Sequence, residues 1–256
     1  MDIQSRFRLD GRIALVTGAG RGLGRACAIG LAQAGAEVWL LSRTREELEQ
    51  VASNINDAGG KARAIRCDVT DSGAVKKVFA ELPALDVLVN NAGSNIPEPF
   101  VDVSEEHLDR LLGLNVRSTF VVAQAAARKM LENPERKCRG GVIINMSSQM
   151  GHVGAVNRSV YCLSKHALEG LTKAMALELA PQGIRVVSIA PTFVETPLTR
   201  PMFANPEFGR WVRDRIPSGK VGQPEDVAAA VVFAASPAAS LVTGSSLLVD
   251  GGWTAQ

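Results

Sequence analysis

Short apolar runs rich in β-branched residues alternate with helical patterns along the whole 256-residue chain. The runs are IALVTG (13–18), EVWLL (37–41), ARAIRCDV (62–69), LDVLVNN (85–91), GVIINMSS (141–148), IRVVSIAP (184–191) and SLLVDGG (246–252). Most are continuously apolar, as parallel strands covered by helices on both faces must be. Helix ends are legible between them. Thr44 followed by Glu47 reads as a capping box, after which Leu48, Val51 and Ile55 share one face and Gly59-Gly60 stops the helix. Ser104 reads as the cap of a helix carrying Leu108, Leu111 and Leu112. This alternation predicts an α/β fold, one domain over residues 1–256 built on a doubly wound parallel sheet of seven strands with helices on both faces.

One segment breaks the pattern. Residues 191–224 hold six of the twelve prolines, together with Arg200, Arg210, Arg213 and Arg215. A long irregular insertion after the carboxyl end of a strand suits a substrate lid, expected over about residues 192–222. At 46% hydrophobic and 21% charged the composition is that of an ordinary globular protein, and a net charge of +2 leaves no footprint for nucleic acid. No window approaches eighteen apolar residues and the start lacks a signal-peptide core, so no membrane partner is expected. Cys27, Cys67, Cys138 and Cys162 are far apart, which reads as reduced thiols in a cytoplasmic protein. His107, His152 and His166 show no ligand spacing, so no metal is expected.

Chemistry first appears in TGAGRGLG (17–24), which follows the first strand and opens the first helix. Gly18, Gly22 and Gly24 permit a tight turn and let a pyrophosphate approach the backbone, while the helix N-terminus offers unpaired N–H groups. Leu23 belongs to the same turn. An NAD site would usually carry an acid at the end of the second strand, where this chain has Ser42 and Arg43. With Arg21 inside the turn, two guanidiniums and a small hydroxyl suit a 2′-phosphate, with no carboxylate to repel it. NADP(H) is therefore favoured, with NAD(H) admitted. Asp68 is placed at the end of the third strand, with Val69 beside it, where it either accepts from the adenine amino group or caps a helix.

Six motifs then stand in order: Thr17-Gly18-x-x-x-Gly22-x-Gly24, NNAG at 90–93, LNVRS at 114–118, NMSS at 145–148, Tyr161-x-x-x-Lys165 and APTFVETPLT at 190–199. From about residue 10 to 252 the chain resembles the short-chain dehydrogenase/reductase family, whose fold is of the Rossmann type. The resemblance implies a catalytic tetrad of Asn115, Ser148, Tyr161 and Lys165. Tyr161 and Lys165 are one helical turn apart, and an ammonium at that spacing, with a nicotinamide cation also close, should lower a phenol that ordinarily titrates near ~10. Tyr161 then exchanges a proton with the substrate oxygen, Ser148 hydrogen-bonds that oxygen, Lys165 also positions the cofactor, and Asn115 in mid-helix holds a water for proton relay. The resemblance further places Asn91, Ala92 and Gly93 at the adenosine ribose, leaves Asn90 to the sheet, and sets Pro191, Val194 and Thr196 at the nicotinamide or pyrophosphate. Pro191-Thr192 departs from the family's frequent Pro-Gly. A homotetramer built through the helices after LNVRS and around Tyr161 is also implied.

Around Ser148 and Tyr161 lie Gln149, His152, Asn157 and Arg158, polar groups among small residues. They point to a small-molecule substrate that is polar, hydroxylated or acidic: a sugar, polyol or sugar acid, in a gluconate 5-dehydrogenase-like reaction between a secondary alcohol and a ketone. A 3-oxoacyl-carrier-protein reductase is the alternative, with Arg128, Lys129, Arg136, Lys137 and Arg139 as candidates for docking an acidic carrier. From another class, a non-catalytic NADP-binding module would keep the glycine turn without the tetrad. A hydrolase would need a Gly-x-Ser-x-Gly elbow, which is absent.

Overall fold

The computed structural model describes residues 2–256. The elements run β1 (Ile13–Thr17), α1 (Gly22–Gln33), β2 (Glu37–Ser42), α2 (Arg45–Asp57), β3 (Lys61–Arg66), α3 (Ser72–Glu81), β4 (Val87–Asn90), α4 (Glu105–Leu112) and α5 (Ser118–Leu131). They continue with α6 (Arg136–Arg139), β5 (Gly141–Met146), α7 (Ser159–Leu179), β6 (Ile184–Pro191), α8 (Arg200–Phe203), α9 (Pro206–Arg215), α10 (Pro224–Ala235) and β7 (Ser246–Val249). All seven strands are parallel, in the order β3-β2-β1-β4-β5-β6-β7.

The apolar runs are continuous because both faces of the sheet are covered. Ala14 and Val16 of β1 face one core with α1, α2 and α10, whereas Leu15 faces a second core with α3, α5 and α7. Every residue of β4 and β5 is buried, while the edge strand β3 exposes Lys61, Arg63 and Arg66. Gly30 lets α1 approach α10, since a Cβ there would already sit 3.3 Å from Val232. Reading the order outward from β1, the chain reverses direction between β1 and β4. Doubly wound sheets open a crevice at the carboxyl ends of the strands at such a point. No helix among the described residues is long and apolar enough to cross a membrane.

Several expected boundaries shift. The third strand ends at Arg66, so Asp68 stands in the following loop rather than on the strand. Ser104 caps α4 by accepting from the His107 N–H at 3.1 Å, as read from the sequence. Thr44 makes no side-chain cap on α2, and the Glu47 carboxylate stands beside Arg21 rather than closing the box. The insertion after β6 is also less irregular than its prolines imply. It forms α8 and α9, where Phe193, Phe203, Phe208 and Trp211 pack as one aromatic cluster that reaches Trp253 near the C-terminus.

Candidate active site

A cleft of about 580 Å³ opens at the β1/β4 reversal, lined from the glycine turn at one end to Tyr161 and the segment after β6 at the other. Backbone shape makes its first wall. Gly18 and Gly22 have φ of 64° and 56°, a region that disfavours any residue with a Cβ. A Cβ on Gly24 would fall 2.2 Å from the Gly18 carbonyl oxygen, so only glycine lets α1 start this close to the turn. Asn91 fixes the turn from below. Its Nδ2 donates to the Thr17 carbonyl at 2.9 Å, and the Thr17 hydroxyl accepts from the Asn91 and Ala92 N–H groups at 3.0 Å each. Thr196 closes the other side, with its Cβ 3.6 Å from where a Gly22 Cβ would stand. The cradle leaves backbone exposed where side chains are excluded, and it fits a dinucleotide's phosphates.

Arg21, Leu23, Ser42, Arg43, Asp68, Val69, Ala92, Gly93, Pro191 and Val194 all line this cleft as well. Asp68 accepts from the Thr70 N–H at 2.9 Å and the Thr70 hydroxyl at 2.7 Å. Burial pushes its carboxyl up, but those bonds and the Arg43 charge outweigh it and hold the group below the usual carboxylate range. Asp71, not Asp68, caps α3. Glu47, expected from its spacing only as a helix cap, lines the same corner. The expectation of a carboxylate-free corner is corrected on that point. Asn90 donates to the Thr119 carbonyl at 2.8 Å and ties β4 to α5, a role in the sheet.

At the other end Ser148, Tyr161 and Lys165 meet. Ser148 follows β5, and Tyr161 and Lys165 lie on one face of α7. The loss of hydration around Tyr161 pushes its phenol up to about 12, with a Ser148 hydrogen bond pulling the other way. Lys165 is 5% exposed, and burial brings its ammonium down to about 8, against an opposing pull from Glu169. Its Nζ donates to the Met146 carbonyl at 2.8 Å and stands 5.4 Å from the centre of the Tyr161 ring. From the chain's own groups, then, Lys165 does not depress the phenol as its spacing implied. Asn115 is buried in a π-helical stretch, Gly113–Arg117, between α4 and α5 rather than in a regular helix. Its side chain donates to the Ser94 carbonyl and the Ser164 hydroxyl and accepts from the Ser94 N–H, all within 2.9–3.1 Å. A π-bulge repositions backbone and side chain together and recurs at functional sites.

Of the four substrate-facing expectations, two line the cleft and two do not. Gln149 is 1% exposed, with its Oε1 buried and without a partner. Arg158 lines the cleft half-buried, its pKa lowered by burial. His152 turns away: its Nε2 meets the Ser246 hydroxyl at 2.9 Å and the Glu169 carboxylate at 3.4 Å. Asn157 is exposed with φ of 58°, a loop position outside the cleft lining. Three polar atoms not foreseen as contacts, Asn95 Oδ1, Ser147 Oγ and Thr192 Oγ1, are buried in the lining without partners. The position of Asn95, two residues past NNAG, was the available signal. Phe193, Leu198 and Met202 add apolar surface from the segment after β6.

The basic residues proposed for docking a carrier are partly consumed elsewhere. Arg136 is 3% exposed, and both it and Arg139 bond the buried Asp86 carboxylate, at 3.2 and 2.8 Å.

The family described as enoyl-(acyl carrier protein) reductase, among the short-chain dehydrogenases, matches residues 18–254. L-xylulose reductase of Mus musculus is 39% identical over 249 residues, covering 96% of this chain and 98% of that protein. The NAD-dependent glycerol dehydrogenase of Listeria innocua is 37% identical over 252 residues, covering 97% of this chain and 96% of that protein. Among solved structures, a gluconate 5-dehydrogenase from Burkholderia cenocepacia J2315, in complex with NADP and tartrate, superposes with a TM-score of 0.94 at 36% identity, covering all of both chains.

Proposed function

This chain belongs to the short-chain dehydrogenase/reductase family, and from that premise we propose that it interconverts a secondary alcohol and a ketone on a sugar, polyol or sugar acid. NADP(H) is the favoured cofactor and NAD(H) is admitted, in keeping with the relatives that use each. One observation carries the reading: Ser148, Tyr161 and Lys165 line the same cleft as the glycine cradle. The nicotinamide, when bound, supplies or accepts a hydride. Gly18, Gly22 and Gly24 hold the phosphates, and Arg21, Ser42, Arg43, Asp68 and Val69 surround the adenosine end. Ala92 and Gly93 flank the middle, with Asn91 supporting the turn, and Pro191, Val194 and Thr196 close the far side.

Ser148 hydrogen-bonds the substrate oxygen. A phenol held at about 12 is fully protonated at neutral pH, so Tyr161 is poised as the acid that protonates a carbonyl oxygen. In oxidation Tyr161 takes the alcohol proton, and a bound cationic ring nearby favours that direction. Lys165, titrating at about 8, exchanges protons readily in the working range. Asn115 in its π-bulge holds the relay beyond Lys165. Gln149, Arg158 and the unpartnered Asn95 and Thr192 atoms offer donors and acceptors to a polyhydroxylated or anionic substrate, under a lid formed by residues 192–222. His152 and Asn157 are dropped from this set.

Four free cysteines support a cytoplasmic enzyme. Phe120 and Leu163, at 50% and 53% exposure on α5 and α7, support burial of those helices in a homotetramer. A panel of sugars, polyols, sugar acids and acetoacetyl thioesters, followed by nicotinamide absorbance with both cofactors, tests the reading. Turnover of thioesters alone would move the protein to the carrier-linked reductases. Tyr161→Phe should keep dinucleotide binding and lose at least ~10²-fold in kcat, and Arg158→Leu should raise KM for an acidic substrate.

A further inference from the structure

The adenosine corner of the cleft contains an acid from an unexpected element. Ser42 occupies the strand-end position where a ribose-binding acid would stand, and its hydroxyl donates to the Thr44 carbonyl at 3.2 Å. Five residues later Glu47, in the first turn of α2, reaches back into the corner, where it lines the cleft with Arg21, Ser42, Arg43 and Thr44. The space it uses is created by a glycine. A Cβ on Gly20 would lie 2.7 Å from Glu47 Oε2 and 3.3 Å from Ser42 Oγ. Glu47 Oε1 stands 3.6 Å from Arg21 Nη1, with the two side chains 35% and 72% exposed. That is a loose, solvated pair, and such pairs exchange partners at little cost.

We propose that Glu47 sets the balance between the two dinucleotides. This rests on the cofactor reading above. With NAD(H), the carboxylate accepts from the adenosine ribose hydroxyls, the role a strand-end acid would otherwise fill. With NADP(H), the 2′-phosphate must draw Arg21 away from Glu47 and share the corner with a second anion. One chain thus keeps both options: two arginines attract the phosphate while the Glu47 carboxylate, with Asp68 in the same cleft, taxes it.

Equilibrium binding of NADPH and NADH, followed by nicotinamide fluorescence, tests the assignment in wild type, Glu47→Gln, Glu47→Asp and Glu49→Gln. Gln keeps the shape and a hydrogen-bonding oxygen while removing the charge. Glu47→Gln should tighten NADPH by about fivefold, on the scale of one exposed charge pair in high dielectric, and leave NADH equal or weaker. Added salt should shrink the gain. Glu47→Asp should stay near the wild-type ratio. Glu49→Gln removes the same charge from the same helix, but its carboxylate pairs with Arg45 at 2.7 Å outside the cleft, so neither affinity should move. An unchanged NADPH-to-NADH ratio in Glu47→Gln, or an equal shift in Glu49→Gln, overturns the assignment and leaves the cofactor reading intact. Failure of wild type to bind either dinucleotide overturns both.

Discussion

Lys165 Nζ donates to the backbone carbonyl of Met146 at 2.8 Å, so the lysine is anchored to the end of β5 rather than to the phenol one turn before it. Its burial has a measurable cost. An ammonium that titrates near 10.5 when solvated and at about 8 in the fold disfavours the native state by roughly 3 kcal/mol below pH 8. That cost disappears as pH rises from about 8 to 10.5, so this group makes the protein more stable with increasing pH across that window. Lys165→Met removes it, while leaving the Met146 carbonyl without its donor, worth about 1 kcal/mol in return. The variant should therefore gain about 2 kcal/mol by urea unfolding at pH 7 and lose activity. Equal or lower stability than wild type would contradict the buried ammonium.

Tyr161 is the only tyrosine in the chain, so its ionisation can be read directly by ultraviolet difference absorbance. With its phenol pushed up to about 12, the protein without added dinucleotide should show no tyrosinate signal at any pH up to ~10 at which it stays folded. Adding the oxidised cofactor should bring the midpoint down, because a cation beside the phenol favours its charged form. A tyrosinate signal below pH 9 in the protein alone would restore the role that the Tyr161–Lys165 spacing first implied.

Asp86 is 2% exposed and bonds Arg12, Arg136 and Arg139, which ties β1, the start of β4 and α6 together at the end of the sheet away from the cleft. Burial pushes its carboxyl up, yet the Arg139 hydrogen bond, the Ile13 N–H and the arginine charges hold it below 3.8. Its stabilisation is therefore complete above that value and fades as pH falls below it. Asp86→Ala leaves the buried Arg136 without its counter-charge and should cost roughly 3–5 kcal/mol by denaturant unfolding. Activity per folded molecule should be unchanged. A loss under 1 kcal/mol would show that the cluster is dispensable.

Gly24→Ala tests the cradle. The new methyl would meet the Gly18 carbonyl at 2.2 Å and Asn91 Nδ2 at 2.5 Å, one in the turn and the other bracing it. Dinucleotide affinity should fall by at least ~10-fold, the scale of losing one good contact, with the sheet intact by circular dichroism. Wild-type affinity in this variant would place the dinucleotide elsewhere.

Much of the architecture was readable without coordinates because it rests on local periodicity. Continuous apolar runs such as VLVN and GVIINM read as strands buried on both faces, and five of the seven runs keep the expected elements within a residue or two. ARAIRCDV and SLLVDGG each lost their last three residues, since nothing in the apolar pattern says where an edge strand stops pairing. Thr44 and Glu47 failed for a different reason. Their spacing satisfies a capping box, but the Thr44 hydroxyl caps no backbone N–H and the Glu47 carboxylate stands beside Arg21, an arrangement that spacing alone does not set.

For the site, the sequence alone determined which chemical groups are present and in what order: three glycines after a strand, a serine after another, and a tyrosine with a lysine one turn on. It could not say which way side chains turn once helices pack against the sheet. Only the tertiary structure sent His152 to Ser246 and Glu169, anchored Lys165 to Met146, bent the chain into a π-stretch at Asn115, and brought Glu47 into the corner with Arg21. Each of those outcomes is a contact between residues distant in the chain or a competition for one partner. Burial, which raises Tyr161 against the expectation from its spacing to Lys165 and lowers Lys165 itself, is a property of the packed fold and not of any local pattern.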